Sequence, residues 1–131
     1  MDHYNLTAGS FSLELWLTAF EGDISIPENA VLNTKIDSDN FAAAATMDID
    51  IKAFRVFAGD LLKVYDSLRG SAVLKESYGR NHIIFEALPN GHILVKGIIN
   101  NYCKNGHEQE LKFENEFDQS YLKDFIHEIN K

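Results

Sequence analysis

Hydrophobic positions alternate with polar ones along most of the chain and shift to three-to-four spacing twice. Between Ser10 and about Phe20, Phe11, Leu13, Leu15, Leu17 and Ala19 share one face, while Ser12, Glu14, Trp16 and Thr18 share the other. That is the pattern of a half-buried antiparallel strand. Residues 1–9 read as a loose entry ending at Gly9, and the stretch from Glu21 to Asn29 reads as a loop, interrupted by Gly22 and Pro27. Val31 to Ile36 predicts a short strand, followed by turn chemistry at Asp37-Ser-Asp-Asn40. The run from Phe41 to Ile51 is ambiguous: four alanines favour a helix, but Thr46, Met47, Ile49 and Ile51 alternate with Asp48 and Asp50, and a strand is the prediction. From Lys52 the period changes. Phe54, Phe57, Leu61, Val64 or Tyr65, and Leu68 define an amphipathic helix, with Gly70 placed as its C-terminal glycine.

Ser71 to Phe117 predicts four successive antiparallel strands. Its centre is a hairpin around Pro89, Asn90 and Gly91. A two-residue Asn-Gly loop would set Phe85 opposite Lys96. A three-residue loop sets Phe85 opposite Val95, Ala87 opposite Ile93 and Ile83 opposite Gly97, which buries a consistent face and is the predicted register. Ser71 to Glu76 precedes this hairpin as a short strand, joined to it by a Ser77 to Arg80 turn in which Gly79 is expected at positive φ. After it, Asn105-Gly106 marks a turn, and Leu111, Phe113 and Phe117 alternate with Glu108, Glu110, Lys112, Glu114 and Glu116. A second helix is predicted from Asp118, whose carboxylate can cap it, with Leu122, Phe125, Ile126 and Ile129 as its buried stripe. The expected fold is α+β: a twisted antiparallel β-sheet of about six strands, with a C-terminal meander and two amphipathic helices, in a single domain spanning 1–131.

Composition narrows the function. Twenty acidic residues against twelve basic give a net charge of −8, which disfavours nucleic acid and anionic membrane surfaces and favours a basic protein partner. Met1 is followed by acidic and polar residues rather than a signal peptide, and no apolar run reaches membrane-spanning length, so a cytoplasmic protein is expected. The single cysteine, Cys103, agrees with a reducing compartment and has no evident histidine partner.

Little in the sequence points to catalysis, and no catalytic residue, metal site or cofactor is expected. His82 and His92 fall on the non-core face of the hairpin but roughly 20 Å apart, too far to share a metal. Asp48 and Asp50 form a carboxylate pair two residues apart on one strand face, without the company that acid–base or calcium chemistry needs. The remaining candidates are partner contacts. Glu108, Glu110, Glu114 and Glu116 form a carboxylate ladder, which is either a solvated strand face or a contact for several Lys and Arg side chains. Asp48, Asp50 and Trp16, an aromatic among polar neighbours, join them as partner-binding candidates.

The order of a helix, Gly70-Ser-Ala-Val-Leu74, Gly91-His-Ile-Leu-Val-Lys-Gly97, then Phe113-Glu-Asn-Glu-Phe-Asp-Gln-Ser-Tyr-Leu122 and a last short helix resembles the WapI-type immunity proteins. The resemblance covers roughly residues 41–131, and the Phe-Asp-Gln-Ser-Tyr-Leu turn is its most specific part; residues 1–40 match nothing in it. It implies a small cytosolic bacterial protein encoded beside a wall-associated or contact-dependent inhibition toxin. Such a protein is non-enzymatic and neutralises its cognate toxin domain by binding it. Many such toxins are nucleases with basic clefts, which suit an acidic inhibitor. The alternative is a general interaction or regulatory module with a different partner. Whether the chain is a monomer or a homodimer stays open.

Overall fold

The computed structural model describes residues 2–20, 29–102 and 104–131. Cys103 and most of the predicted loop after Phe20 lie outside the described residues. The strands are β1 (Asp2–Ala8), β2 (Phe11–Ala19), β3 (Ala30–Ser38), β4 (Phe41–Ile49), β5 (Ser71–Lys75), β6 (His82–Ala87), β7 (His92–Tyr102) and β8 (Glu108–Asp118). They form two antiparallel sheets rather than one, in the orders β1-β2-β3-β4 and β5-β6-β7-β8, hereafter sheets A and B. Helix α1 (Ile51–Ser67) links the sheets, and helix α2 (Lys123–Ile129) ends the chain.

There are eight strands where about six were expected. The loose entry is β1: Leu6 and Ala8 are buried between exposed Asn5 and Thr7, and Ala8 pairs with Phe11 across a two-residue turn. Gly9 makes that turn possible at φ 60°, where a side chain would be strained. β3 is also longer than predicted, because its polar residues Asn33, Lys35 and Asp37 occupy only the outward face. The alanine-rich run is a strand from Phe41 to Ile49, paired with β3 from Ser38↔Phe41 to Ala30↔Ile49, whereas Ile51, expected at its end, opens α1. Pairing with a neighbour overrides the local helix preference of alanine.

The predicted hairpin register holds: Phe85 faces Val95, Ala87 faces Ile93 and Ile83 faces Gly97. Leu88 N–H donates to the His92 carbonyl at 2.9 Å across the three-residue loop, and Gly91 takes φ 79°. Two smaller expectations are corrected. Helix α1 ends at Ser67, and its C-cap Leu68, two residues before Gly70, takes the left-handed conformation at φ 56°. Gly79 is not at positive φ; instead, a Cβ there would collide with the side chain of Glu76, which accepts the Asn81 N–H at 3.0 Å.

The two sheets face each other. Phe11 of sheet A stacks on Phe113 and Phe117 of sheet B, with ring centroids 6.1 and 6.0 Å apart. Helix α1 buries Phe54, Phe57, Ala58, Leu61 and Val64; Phe54 meets Tyr4 of β1 and Phe57 meets Phe85 of β6. Helix α2 packs Phe125, Ile126 and Ile129 into the same core. Asp118 caps the entry to it as predicted, although a 3₁₀ turn over Gln119–Leu122 comes first.

The Asp118 carboxylate accepts from Ser120, including its backbone N–H at 2.9 Å. Hydrogen bonds from the Ser120 side chain, then from its backbone, hold the Asp118 carboxyl below its ordinary range, with nearby His92 adding to the effect. A carboxyl lowered by folding stabilises the fold above its unfolded value and loses that contribution as pH falls through the folded one. Asp118→Asn keeps a capping oxygen but cannot titrate. Its stability curve is therefore expected to fall less steeply below about pH 4 than that of the parent chain. Urea midpoints between pH 2 and 6 would check this, and parallel acid limbs would refute it.

Candidate interaction site

Alternation along β8 places Glu108, Glu110, Glu114 and Glu116 on the outer face of sheet B, as the sequence predicts. Their carboxylates are largely engaged within the chain. Arg80 Nη1 lies 2.9 Å from Glu110 and 3.6 Å from Glu108, and Asn100 Nδ2 donates to the same two residues at 3.3 and 2.7 Å. Glu116 sits 2.6 Å from His92 Nδ1. Glu114 lies across the β7–β8 pairing from Lys96, which itself reaches Glu86 at 3.6 Å. The ladder is therefore interleaved with cations, and exposed pairs of this kind contribute little to stability.

Trp16 and Asp48 lie elsewhere, on the outer face of sheet A. Trp16 is half-buried and stacks nearly parallel on His3, with centroids 4.7 Å apart, and His3 Nε2 is 3.4 Å from Glu14. Across β3 and β4 the same row continues to Asn33 and Thr46, joined by a 2.7 Å hydrogen bond. Asp48 is exposed on β4. The predicted pairing of Asp48 with Asp50 on one strand face is overturned, because β4 ends at Ile49 and Asp50 begins the helix. Asp50 Oδ1 accepts from the Lys52 N–H at 2.9 Å and from Asn29 Nδ2 at 3.3 Å. Asp50 is thus the N-cap of α1, with a structural part in the fold.

Because the sheets pack inner face to inner face, the candidates divide between two surfaces that point away from each other. No group of three or more His, Cys, Asp or Glu residues among those described could hold a metal ion. His82 and His92 stay apart: His82 pairs with Ile98, six residues along β7 from His92. No helix among the described residues is long and apolar enough to cross a membrane.

The immunity protein WapI-like family matches residues 6–131, nearly the whole chain. The chain belongs to that family. The match takes in the end of β1 from Leu6, and all of β2 and β3, which the resemblance read from the sequence left out. No curated protein and no solved structure matches the chain. For a member of an immunity family, the relevant chemistry is recognition of another protein, so the disposition of charge along the chain becomes the central observation.

That disposition was missed when net charge was taken over the whole chain. Residues 1–50 hold nine acidic residues and one basic residue, Lys35, whereas residues 51–131 hold eleven of each. The first span contains sheet A and the second contains both helices and sheet B. The whole net charge of −8 therefore belongs to the half built on sheet A. Counting charge on either side of the predicted helix start would have found this.

Proposed function

We propose that this immunity protein binds the toxin domain of its own strain's contact-dependent or related effector and blocks it in the cytoplasm. The toxin is read as a nuclease, whose basic substrate cleft an acidic protein can cover. The observation that carries this reading is membership of the family over residues 6–131, with the surplus of twenty acidic over twelve basic residues as its physical complement. Such a surplus steers a cationic partner into encounter. The role is one of binding without catalysis, and it requires no cofactor.

Calorimetry against the toxin domain encoded beside the gene is expected to show a 1:1 complex of nanomolar affinity. Its association rate should fall as salt rises from about 0.05 to 0.5 M, because the Debye length shortens below the range over which charges steer. Nuclease activity should disappear at one equivalent. Absence of a complex at micromolar concentrations would overturn the toxin reading in favour of a regulatory module with another partner.

A further inference from the structure

Two observations on the sheet A side converge on one surface. The first is the charge partition. Glu14, Asp37 and Asp48 project from the outer face of sheet A, with Lys35 as its only lysine or arginine. Along β2 that face keeps part of its surface open, with Ser12, Glu14, Trp16 and Thr18 all half-buried. At its centre Trp16 presents a large, amphipathic side chain already held by stacking on His3. Tryptophan in such a setting is a typical interface anchor, because little conformational freedom remains to be lost on binding.

The second observation lies where the face runs over β4. A groove of about 400 Å³ extends from Trp16 past Ala44 and Thr46 to Asn101. Asn101 ties the sheets together here, donating from Nδ2 to the Ala44 carbonyl at 3.2 Å. Thr46 and Asn101 also border a second hollow of about 270 Å³, flanked by Tyr78 and Arg80. Asn100 lines that hollow and is 5% exposed. Its amide nitrogen faces Glu108 and Glu110, which turns the oxygen away from them. That oxygen, Oδ1, is buried and has no hydrogen-bond partner among the described residues. A buried acceptor without a donor is unfavourable, so an outside donor that reaches it as side chains around the hollow adjust satisfies a group left unpaired within the described residues.

From these observations we propose that a lysine- and arginine-rich surface of the toxin domain docks on the outer face of sheet A, centred on Trp16. From there it crosses β4 at Thr46 and places a hydrogen-bond donor in the hollow that holds Asn100. Glu114 and Glu116, farther along β8 from Asn100, remain outside the contact. This assignment rests on the toxin-binding reading above and specifies its surface. The partner's charge follows from complementarity, since Glu14, Asp37 and Asp48 outnumber Lys35 on this face.

The test uses the full chain and the toxin domain encoded beside its gene, with wild-type affinity measured first. Trp16→Ala is expected to weaken binding at least about tenfold, as loss of an anchor does. Thr46→Lys puts a cation where partner cations must pass and is expected to weaken binding by a similar factor. The triple change Glu14→Gln, Asp37→Asn and Asp48→Asn should slow association about tenfold at low salt. Glu114→Gln with Glu116→Gln should leave affinity within about twofold. Trp16 is the single tryptophan, so chain labelled with fluorotryptophan gives one fluorine resonance, which should shift when unlabelled toxin domain is added. This reports on the face even if a variant folds poorly. If wild type binds while the resonance stays fixed and the sheet A variants bind normally, the face assignment is wrong and the toxin reading stands. If wild type does not bind, both fall.

Discussion

Phe11→Ala is expected to destabilise the folded chain by about 3–5 kcal/mol, the range for deleting a buried aromatic side chain. Phe11 is fully buried and is the residue of sheet A that stacks on both Phe113 and Phe117 of sheet B. Its removal would leave a void between two sheets that cannot collapse without disturbing their own ladders. Whole-domain stabilities are only about 5–15 kcal/mol, so the variant would stand near the threshold of unfolding. Urea denaturation followed by circular dichroism would measure this as a lowered midpoint at unchanged slope. Phe41→Ala is the internal control: Phe41 is 67% exposed, and its loss should change stability by no more than about 0.5 kcal/mol. Equal effects for the two variants would mean that the sheets do not meet through Phe11.

Gly97→Ala is expected to cost about 3 kcal/mol, the upper end of what overpacking usually costs. The reason is space rather than backbone conformation. A Cβ at Gly97 would fall onto the His82 carbonyl oxygen and come within 3.1 Å of the Ile83 Cα. Both neighbours are backbone of the paired strand β6, so relief requires the β6–β7 ladder to open. The same substitution at Gly59 should have the opposite sign. Gly59 lies inside α1 with nothing within 4 Å of an added Cβ, and alanine there should stabilise the helix by up to about 1 kcal/mol. Thermal and urea midpoints that move in the same direction for both variants would contradict this account.

Elements with strong period-two contrast were legible in the sequence, and those without it were not. Ile83, Phe85, Ile93 and Val95 fixed the hairpin register through a single consistent buried face, and the structure has that register. β1 was illegible because Asp2, His3, Asn5 and Thr7 dilute the signal of Leu6 and Ala8, leaving the Ala8-Gly-Ser-Phe11 turn as its main cue. The division into two sheets depends on Phe11 meeting Phe113 and Phe117 about a hundred residues later, a contact no local pattern encodes. Among the candidate contacts, the β8 ladder and Trp16 were legible as residues on outward faces. That Arg80, Asn100 and His92 engage three of the ladder's four carboxylates was not, since each comes from a different stretch of chain. Asp50 was misread for a related reason: one residue decides whether a carboxylate belongs to a strand face or to a helix cap.

The meander order of the strands bears on how the chain is made. Each strand in either sheet pairs only with strands adjacent to it in sequence. Ladder formation therefore closes only short loops, with a small entropic cost. A ribosome that has released the first fifty residues has already delivered every strand of sheet A, before any of α1 or sheet B has left the exit tunnel. During synthesis the acidic half can assemble as a unit, with its apolar inner face waiting for the later, electrically neutral half. During that interval an exposed apolar face depends for its solubility on the eight surplus negative charges carried by residues 1–50.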